Sequence, residues 1–167
     1  AAAALVALLA VVGPFIVNTA AAATVGDGTT SETAGASCWG IKQQLPSSPD
    51  GVYWLQTPNT NLMVPEQFYC DMTTDGGGWV LVGRGREGWT FATNGQGSGS
   101  TIRTTTTGTT AFTPAYLPSA KVDGLLNGGN VKDLPDGVRL RRATNTGGTA
   151  WQEMRLRPRD EQNWSWG

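Results

Sequence analysis

The sequence predicts an α+β domain dominated by strands, with short helices packed on a twisted antiparallel sheet. Three observations carry this. Glycine fills 23 of 167 positions and proline nine, so the chain is punctuated too often for long helices. β-forming runs recur between the breaks, at Val52-Tyr53-Trp54-Leu55, Gln67-Phe68-Tyr69 and Trp79-Val80-Leu81-Val82. The clearest helical pattern, Val122, Leu125 and Leu126 at i, i+3, i+4, makes a single short apolar face. With 39% hydrophobic residues the chain suits one core of ordinary size.

Charge and chemistry narrow the function classes. The formal charge is -1 and only 15% of residues are charged, so no net field draws nucleic acid or membrane. Histidine is absent, which removes the usual general base, the partner of a Ser or Cys nucleophile and the commonest zinc ligand. An enzyme is therefore disfavoured. Seven tryptophans are many for this length, and some are expected in the core and some on a surface site.

Taken in order, Ala1 to Val25 carries no charge. An apolar centre from Leu5 to Val12 is broken by Gly13-Pro14, and Ala21-Ala22-Ala23 fits the small-residue site read by signal peptidase. Residues 1–23 are expected to be a secretory signal peptide truncated at its start, or a membrane anchor, since the uncharged length just spans a bilayer. Residues 24–37 read as a flexible Gly/Thr/Ser/Ala linker. Ser37 is a plausible N-cap for a helix from Cys38 through Leu45, stopped by Pro46. Gly51 to Gln56 follows as a strand, with Val52 and Trp54 on one face and Tyr53 and Leu55 on the other. After a Pro/Asn loop, a second strand ends at Cys70.

Asp75-Gly76-Gly77-Gly78 then demands a turn with positive φ. A third glycine exceeds what a two-residue hairpin needs, so a bulky group, Trp79 foremost, is expected to lie buried against bare backbone. Tyr69-Cys70-Asp71-Met72, a polar spacer and Gly76-Gly77-Gly78-Trp79 resemble the signature of the fibrinogen C-terminal-like domain. Upstream, Cys38-Trp39-Gly40-Ile41 and Asp50-Gly51-Val52-Tyr53 are similar to that family's opening. The resemblance spans about Cys38 to Arg84 and is strongest toward bacterial secreted proteins that share this opening module. It implies a fibrinogen-C-like domain over 38–167, with Tyr69, Asp71, Asp75, Gly76, Gly77, Gly78 and Trp79 as its structural motif. It also implies an extracellular module binding glycans or other extracellular ligands. The family's Phe-Trp-Leu-Gly-Asn segment and aspartate-rich calcium loop are not found after Arg84. Asp71 and Asp75 lack the alternating oxygen ligands of a calcium loop, so no metal or cofactor is expected in this segment. Calcium is expected only if a downstream half exists.

Gly83-Arg84-Gly85-Arg86-Glu87-Gly88 matches G-x-G-x-x-G, but Trp89-Thr90-Phe91 and a glycine-rich stretch follow where a dinucleotide fold needs a helix. It reads as a strand leaving the core. Asn94 to Thr110 is a Gly/Ser/Thr loop, and Ala120 to Asn127 a core-facing helix ended by Gly128-Gly129. Val138–Ala143 and Trp151–Arg157 are expected to form a hairpin through Asn145-Thr146-Gly147-Gly148.

Half of the twelve basic residues fall in that hairpin or just past it. Arg139 and Arg141 share a face, as do Arg155 and Arg157. Two readings stand. One is a solvated strand face with Glu153, Asp160 and Glu161 interposed. The other is an anion-binding stripe of Arg139, Arg141, Arg155 and Arg157 for surface polymers or acidic glycans. Asn163-Trp164-Ser165 is a formal glycosylation sequon. Trp164-Ser165-Trp166-Gly167 reads as an interrupted strand, so the domain is expected to be incomplete at its C-terminal end.

The expected function is a secreted or cell-surface recognition module. The alternative is a structural or adhesive surface protein without a small-molecule ligand. Its partners are expected to be extracellular glycans or surface polymers, not nucleic acid, with a membrane only if residues 1–23 stay attached. In an oxidising compartment the two cysteines, Cys38 and Cys70, should form one disulfide, the pairing the resemblance also implies. Non-reducing peptide mapping should recover them as a linked pair, and alkylation of both without reductant would contradict it.

Overall fold

Ser37 opens the first helix as its residue type suggests, its hydroxyl accepting the Gly40 amide at 2.9 Å. In the computed structural model, which describes residues 26–85, 115–145, 149–161 and 164, helix α1 spans Cys38–Gln44. Leu45 ends it by donating to the Ile41 carbonyl, and Pro46 blocks any continuation. The helix buries Cys38 and Ile41 and leaves Trp39 52% exposed. The expected signal or anchor segment and the Asn94–Thr110 loop lie outside the described residues. So do Arg86 to Gly88 of the glycine motif, Thr146 to Gly148, and Asn163 and Ser165 of the sequon. No described helix is long and apolar enough to cross a membrane.

Strand β1, Gly51–Leu55, alternates as the sequence requires, with Tyr53 and Leu55 buried and Val52 and Trp54 half-buried. It pairs antiparallel with β2, Glu66–Asp71, from Gly51 opposite Cys70 to Leu55 opposite Glu66. Phe68 and Cys70 of β2 join the same buried face. A short β3, Trp79–Val80, completes the sheet on the other side of β2. The disulfide Cys38–Cys70 ties α1 to β2, with Cα atoms 5.6 Å apart and both residues almost wholly buried. For a sequence separation of 32, closing this loop stabilises the fold by about 3–4 kcal/mol in the chain-entropy picture.

Residues 24–37 are expected to be a flexible linker, and over the described part, 26–37, the structure differs. The Gly28 carbonyl accepts the Trp54 amide, Gly35 donates to the Trp54 carbonyl, and Gln56 donates to the Gly35 carbonyl, at 2.7–3.0 Å. The segment lies along the free edge of β1, with Gly35 bridged in parallel to Leu55, and covers that edge around Trp54. Asp27 holds the loop in shape by accepting from the Thr29 amide and from the Thr29 and Thr33 hydroxyls. A side chain at Gly35 would lie 2.5 Å from Ile41, so the close approach needs glycine. Composition concealed this, because small polar residues that hydrogen-bond a strand edge resemble those of a free linker.

Beyond the first sheet, β4, Gly83–Arg84, pairs with β5, Ala115–Tyr116. Helix α2, Ser119–Leu126, buries Val122 and rests Leu125 and Leu126 against the core, as its spacing predicts. Asn127 ends it in the left-handed conformation at φ 51°. A 3-10 turn at Val131–Asp133 leads into the hairpin of β6, Val138–Ala143, and β7, Trp151–Leu156. The expected α+β, strand-rich class is observed, but the strands form three small antiparallel sheets instead of one continuous sheet. The core gathers Ile41, Tyr53, Leu55, Leu62, Phe68, Met72, Leu117 and Val122 around the disulfide.

The glycine turn is tighter than a hairpin. Thr74–Gly76 forms a 3-10 turn, and Asp75, Gly76, Gly77 and Gly78 all take positive φ. Gly77 is the strictest position: at φ 77°, ψ -173° its backbone is in glycine-only territory, and an added Cβ would lie 2.0 Å from the Met72 carbonyl oxygen. Gly76 faces open space. Gly77→Ala should therefore destabilise by about 3 kcal/mol or more, against about 1 kcal/mol for Gly76→Ala. Chemical denaturation of the two variants checks the ranking.

Candidate functional site

The turn between β2 and β3 is where chemistry-bearing side chains converge. Asp50 and Asp71 build it. Asp50 accepts the Met72 amide at 2.6 Å and the Thr73 hydroxyl at 3.0 Å. Asp71 Oδ1 accepts the amides of Thr73 and Thr74 at 3.2 and 2.9 Å, and its backbone carbonyl accepts Gly78. These bonds satisfy donors that the turn would otherwise leave open. The Trp79 indole closes the loop by donating Nε1–H to the Thr74 carbonyl at 3.1 Å.

The turn's second carboxylate oxygen reaches across to the hairpin. Asp71 Oδ2 meets Arg139 Nη2 at 2.5 Å, with the two side chains only 15% and 9% exposed. The Arg139 guanidinium lies over the Trp79 ring at 4.4 Å, and that of Arg155 lies 5.3 Å from the same ring. Asp75 is shared, 2.6 Å from Arg155 and 3.8 Å from Arg139 Nη1, a nitrogen that makes no hydrogen bond of its own. Arg139 and Arg155 face each other directly in the ladder. Such a like-charge pair is tolerable because Asp75 and the electron-rich ring face lie beside both.

The two ion pairs differ in weight. Arg155 and Asp75 are both more than 40% exposed, and such a pair contributes on the order of 0–1 kcal/mol. The sequestered Arg139–Asp71 pair behaves differently, because removing one partner would strand the other charge, at about 3–5 kcal/mol. Burial pushes the Asp71 carboxyl upward, but the Thr74 amide, the Arg139 guanidinium, the Thr74 hydroxyl and the Thr73 amide outweigh it. The group therefore titrates below its ordinary range. The Tyr69 hydroxyl is pushed up, chiefly by burial and further by Asp50 and Asp71.

These contacts correct the cationic stripe. Period two does place Arg139, Arg141 and Arg155 on one face, since Arg139 pairs with Arg155 and Arg141 with Glu153 in register. That face is not an open row of positive charge. Arg141 lies 3.8 Å from Glu153 and over the Trp151 ring at 4.9 Å. Arg155 also contacts Glu153 and Asp136, and Arg157 donates to the Leu134 carbonyl at 3.1 Å. Of the acids expected to intervene, Glu153 does so, whereas Glu161 pairs with Lys132. The decisive carboxylates are Asp71 and Asp75, which sequence distance from the hairpin concealed.

Trp79 is corrected as well. It is half-buried and faces the arginines. The side chain that lies against a glycine is Trp39, whose Cα and ring would each be 2.8 Å from a Cβ at Gly78. Trp39 nevertheless stays 52% exposed, beside the turn. The opposite face of the hairpin carries Leu140, Met154 and Leu156 at 46–55% exposure. Their alternation with the arginines was readable in the sequence. A shallow depression of about 280 Å3 is lined by Gln56, Thr57, Pro58 and Met63. Its polar groups are engaged, Gln56 with the Met63 carbonyl and Thr57 with the Gly124 carbonyl. Among the described residues no cluster of three or more His, Cys, Asp or Glu could hold a metal ion.

No family model matches the chain. With Arg139, Arg141 and Arg155 offset by Asp71, Asp75, Asp136 and Glu153, the protein should pass a polysulfate resin with little retention at ~0.15 M salt, where exposed charges are screened beyond about 8 Å. Retention well above that salt would show that the guanidinium groups are available to polyanions.

Proposed function

We propose that this chain is a secreted or cell-surface recognition module of the fibrinogen-C-like kind, and that it binds glycans or related extracellular ligands. The observation that carries the reading is the opening module itself. A helix begun at Cys38 is bonded to the strand ending in Tyr69-Cys70-Asp71, and that strand runs into a turn with three positive-φ glycines. This is the arrangement the motif resemblance implies, and a buried disulfide suits an oxidising compartment. Trp39 supplies the recognition chemistry in this proposal. Its indole is half-exposed beside the turn, and a flat amphipathic ring offers the surface on which a sugar face stacks.

A structural or adhesive role is the second reading, favoured by the outward apolar residues Leu140, Met154 and Leu156. A glycan array probed with the full chain separates the two. Binding to a defined set of glycans, lost in Trp39→Ala while the disulfide and thermal stability persist, is expected on the first reading. A blank array, with self-association that falls when Leu140 and Met154 are changed to Ser, would favour the second.

A further inference from the structure

The β6–β7 hairpin is inside out for a surface ribbon. Its charged face, with Arg139, Arg141, Glu153 and Arg155, includes the side chains that reach the glycine turn, while Leu140, Met154 and Leu156 on the other face are 46–55% exposed. Its strands pair with each other in a sheet of their own. None of its described apolar side chains belongs to the buried core cluster or packs against it. What fastens it to the turn is polar: Arg139 to Asp71, Arg155 and Arg139 to Asp75, and both guanidinium groups on the Trp79 ring. An element docked by charge and not by core burial can leave without unfolding what lies beneath it.

We infer that the β6–β7 hairpin is an acid-released strap, held on the Asp71–Trp79 turn by the Asp71 carboxylate and detaching from it while the disulfide-closed core stays folded. The trigger is protonation of Asp71. Arg139 cannot lose its own charge, so once Asp71 is neutral a guanidinium only 9% exposed is left without its nearest counter-ion. Moving the hairpin into solvent relieves this and uncovers the Trp79 ring. The charged and titratable groups around the carboxylate are few, and one is the Tyr69 hydroxyl of β2, itself pushed up by burial and by Asp50 and Asp71. Arg139 comes from β6, Asp75 from the turn, and Arg155 from β7 by way of Asp75, while Glu153 and Asp136 contact Arg155 and Asp50 caps the adjoining backbone.

The direction of linkage follows. With the hairpin docked, burial pushes the Asp71 carboxyl up, but the turn amides and the Arg139 guanidinium hold it below its ordinary 3.8. Release removes the hairpin's part of that burial together with Arg139, and the close ion pair at 2.5 Å between two sequestered side chains sets the sign. The ion pair's contribution to docking is therefore fully present above the ordinary carboxylate range and is lost as pH falls below it, through the depressed docked value. The amides of Thr73 and Thr74 hold Asp71 in both states, so the turn survives the transition.

Hydrogen-exchange protection on the full chain tests this, comparing hairpin amides 138–143 and 151–156 with β1 and β2 amides. As pH is lowered from neutral to ~2, hairpin protection factors should fall severalfold, while β1 and β2 keep theirs. Asp71→Asn should reproduce the loss at neutral pH. It keeps Oδ1 for the two turn amides and places an amide nitrogen against Arg139. If that variant does not fold, Arg139→Gln decides in its place. Hairpin protection unchanged in acid and in the variant overturns the inference, and so does loss of hairpin and β1–β2 protection together.

Discussion

Asp71 is the residue on which both halves of the described structure depend. One of its carboxylate oxygens holds the Thr73 and Thr74 amides, the other holds Arg139, and its backbone carbonyl accepts Gly78. The first set of bonds shapes the glycine turn, and the second fixes where the hairpin sits. A lysine in place of Arg139 would lose most of this. The planar guanidinium can lie over Trp79 and still direct a nitrogen at the carboxylate, whereas an ammonium is a point charge without a face. The aspartate of the motif is better understood as a joint than as a ligand.

Beneath that joint the core is small, and the disulfide contributes disproportionately. The cluster around Phe68, Ile41 and Leu55 is closed by Cys38 and Cys70 themselves, which are as buried as any aliphatic side chain near them. The bond thus acts both as apolar filling and as a constraint on the unfolded chain. It also explains why a helix of seven residues holds its place. An isolated helix that short is unstable in water, so α1 depends on Ile41 packing, the Ser37 cap and the bond to β2.

Much of the fold was legible because it depends on local signals. The Ser37 cap, the alternation in β1, the apolar face of α2 and positive φ at the glycines follow from residue type and spacing within a few positions. The even cysteine count in a chain read as secreted made the disulfide legible too. What escaped were pairings across long separations. Arg139 and Asp71 stand 68 positions apart, and Arg155 and Asp75 stand 80 apart, so no window of sequence reveals that the arginines are offset. Residues 26–37 misled for a related reason. Their hydrogen bonds run to the backbone of β1, which accepts almost any small polar segment. Trp39 and not Trp79 lies against Gly78, because the extra glycine signals close approach without naming the partner.

The arginine cluster shows how a composition signal can be real and still point to the wrong chemistry. Six basic residues in and beside one hairpin of a near-neutral chain invite an anion-binding reading. In the folded protein the same concentration serves attachment, because two guanidinium groups can share one indole and one aspartate only if they face each other across a ladder. The turn's polar groups are then largely occupied inside the molecule: Asp50 and Asp71 by backbone amides, Asp71 and Asp75 by arginine, and the Trp79 N–H by Thr74. A surface so engaged has little left with which to recognise a ligand by hydrogen bonds. On the proposed recognition role, the burden shifts to the side chains the fold leaves outside, Trp39 beside the turn first among them.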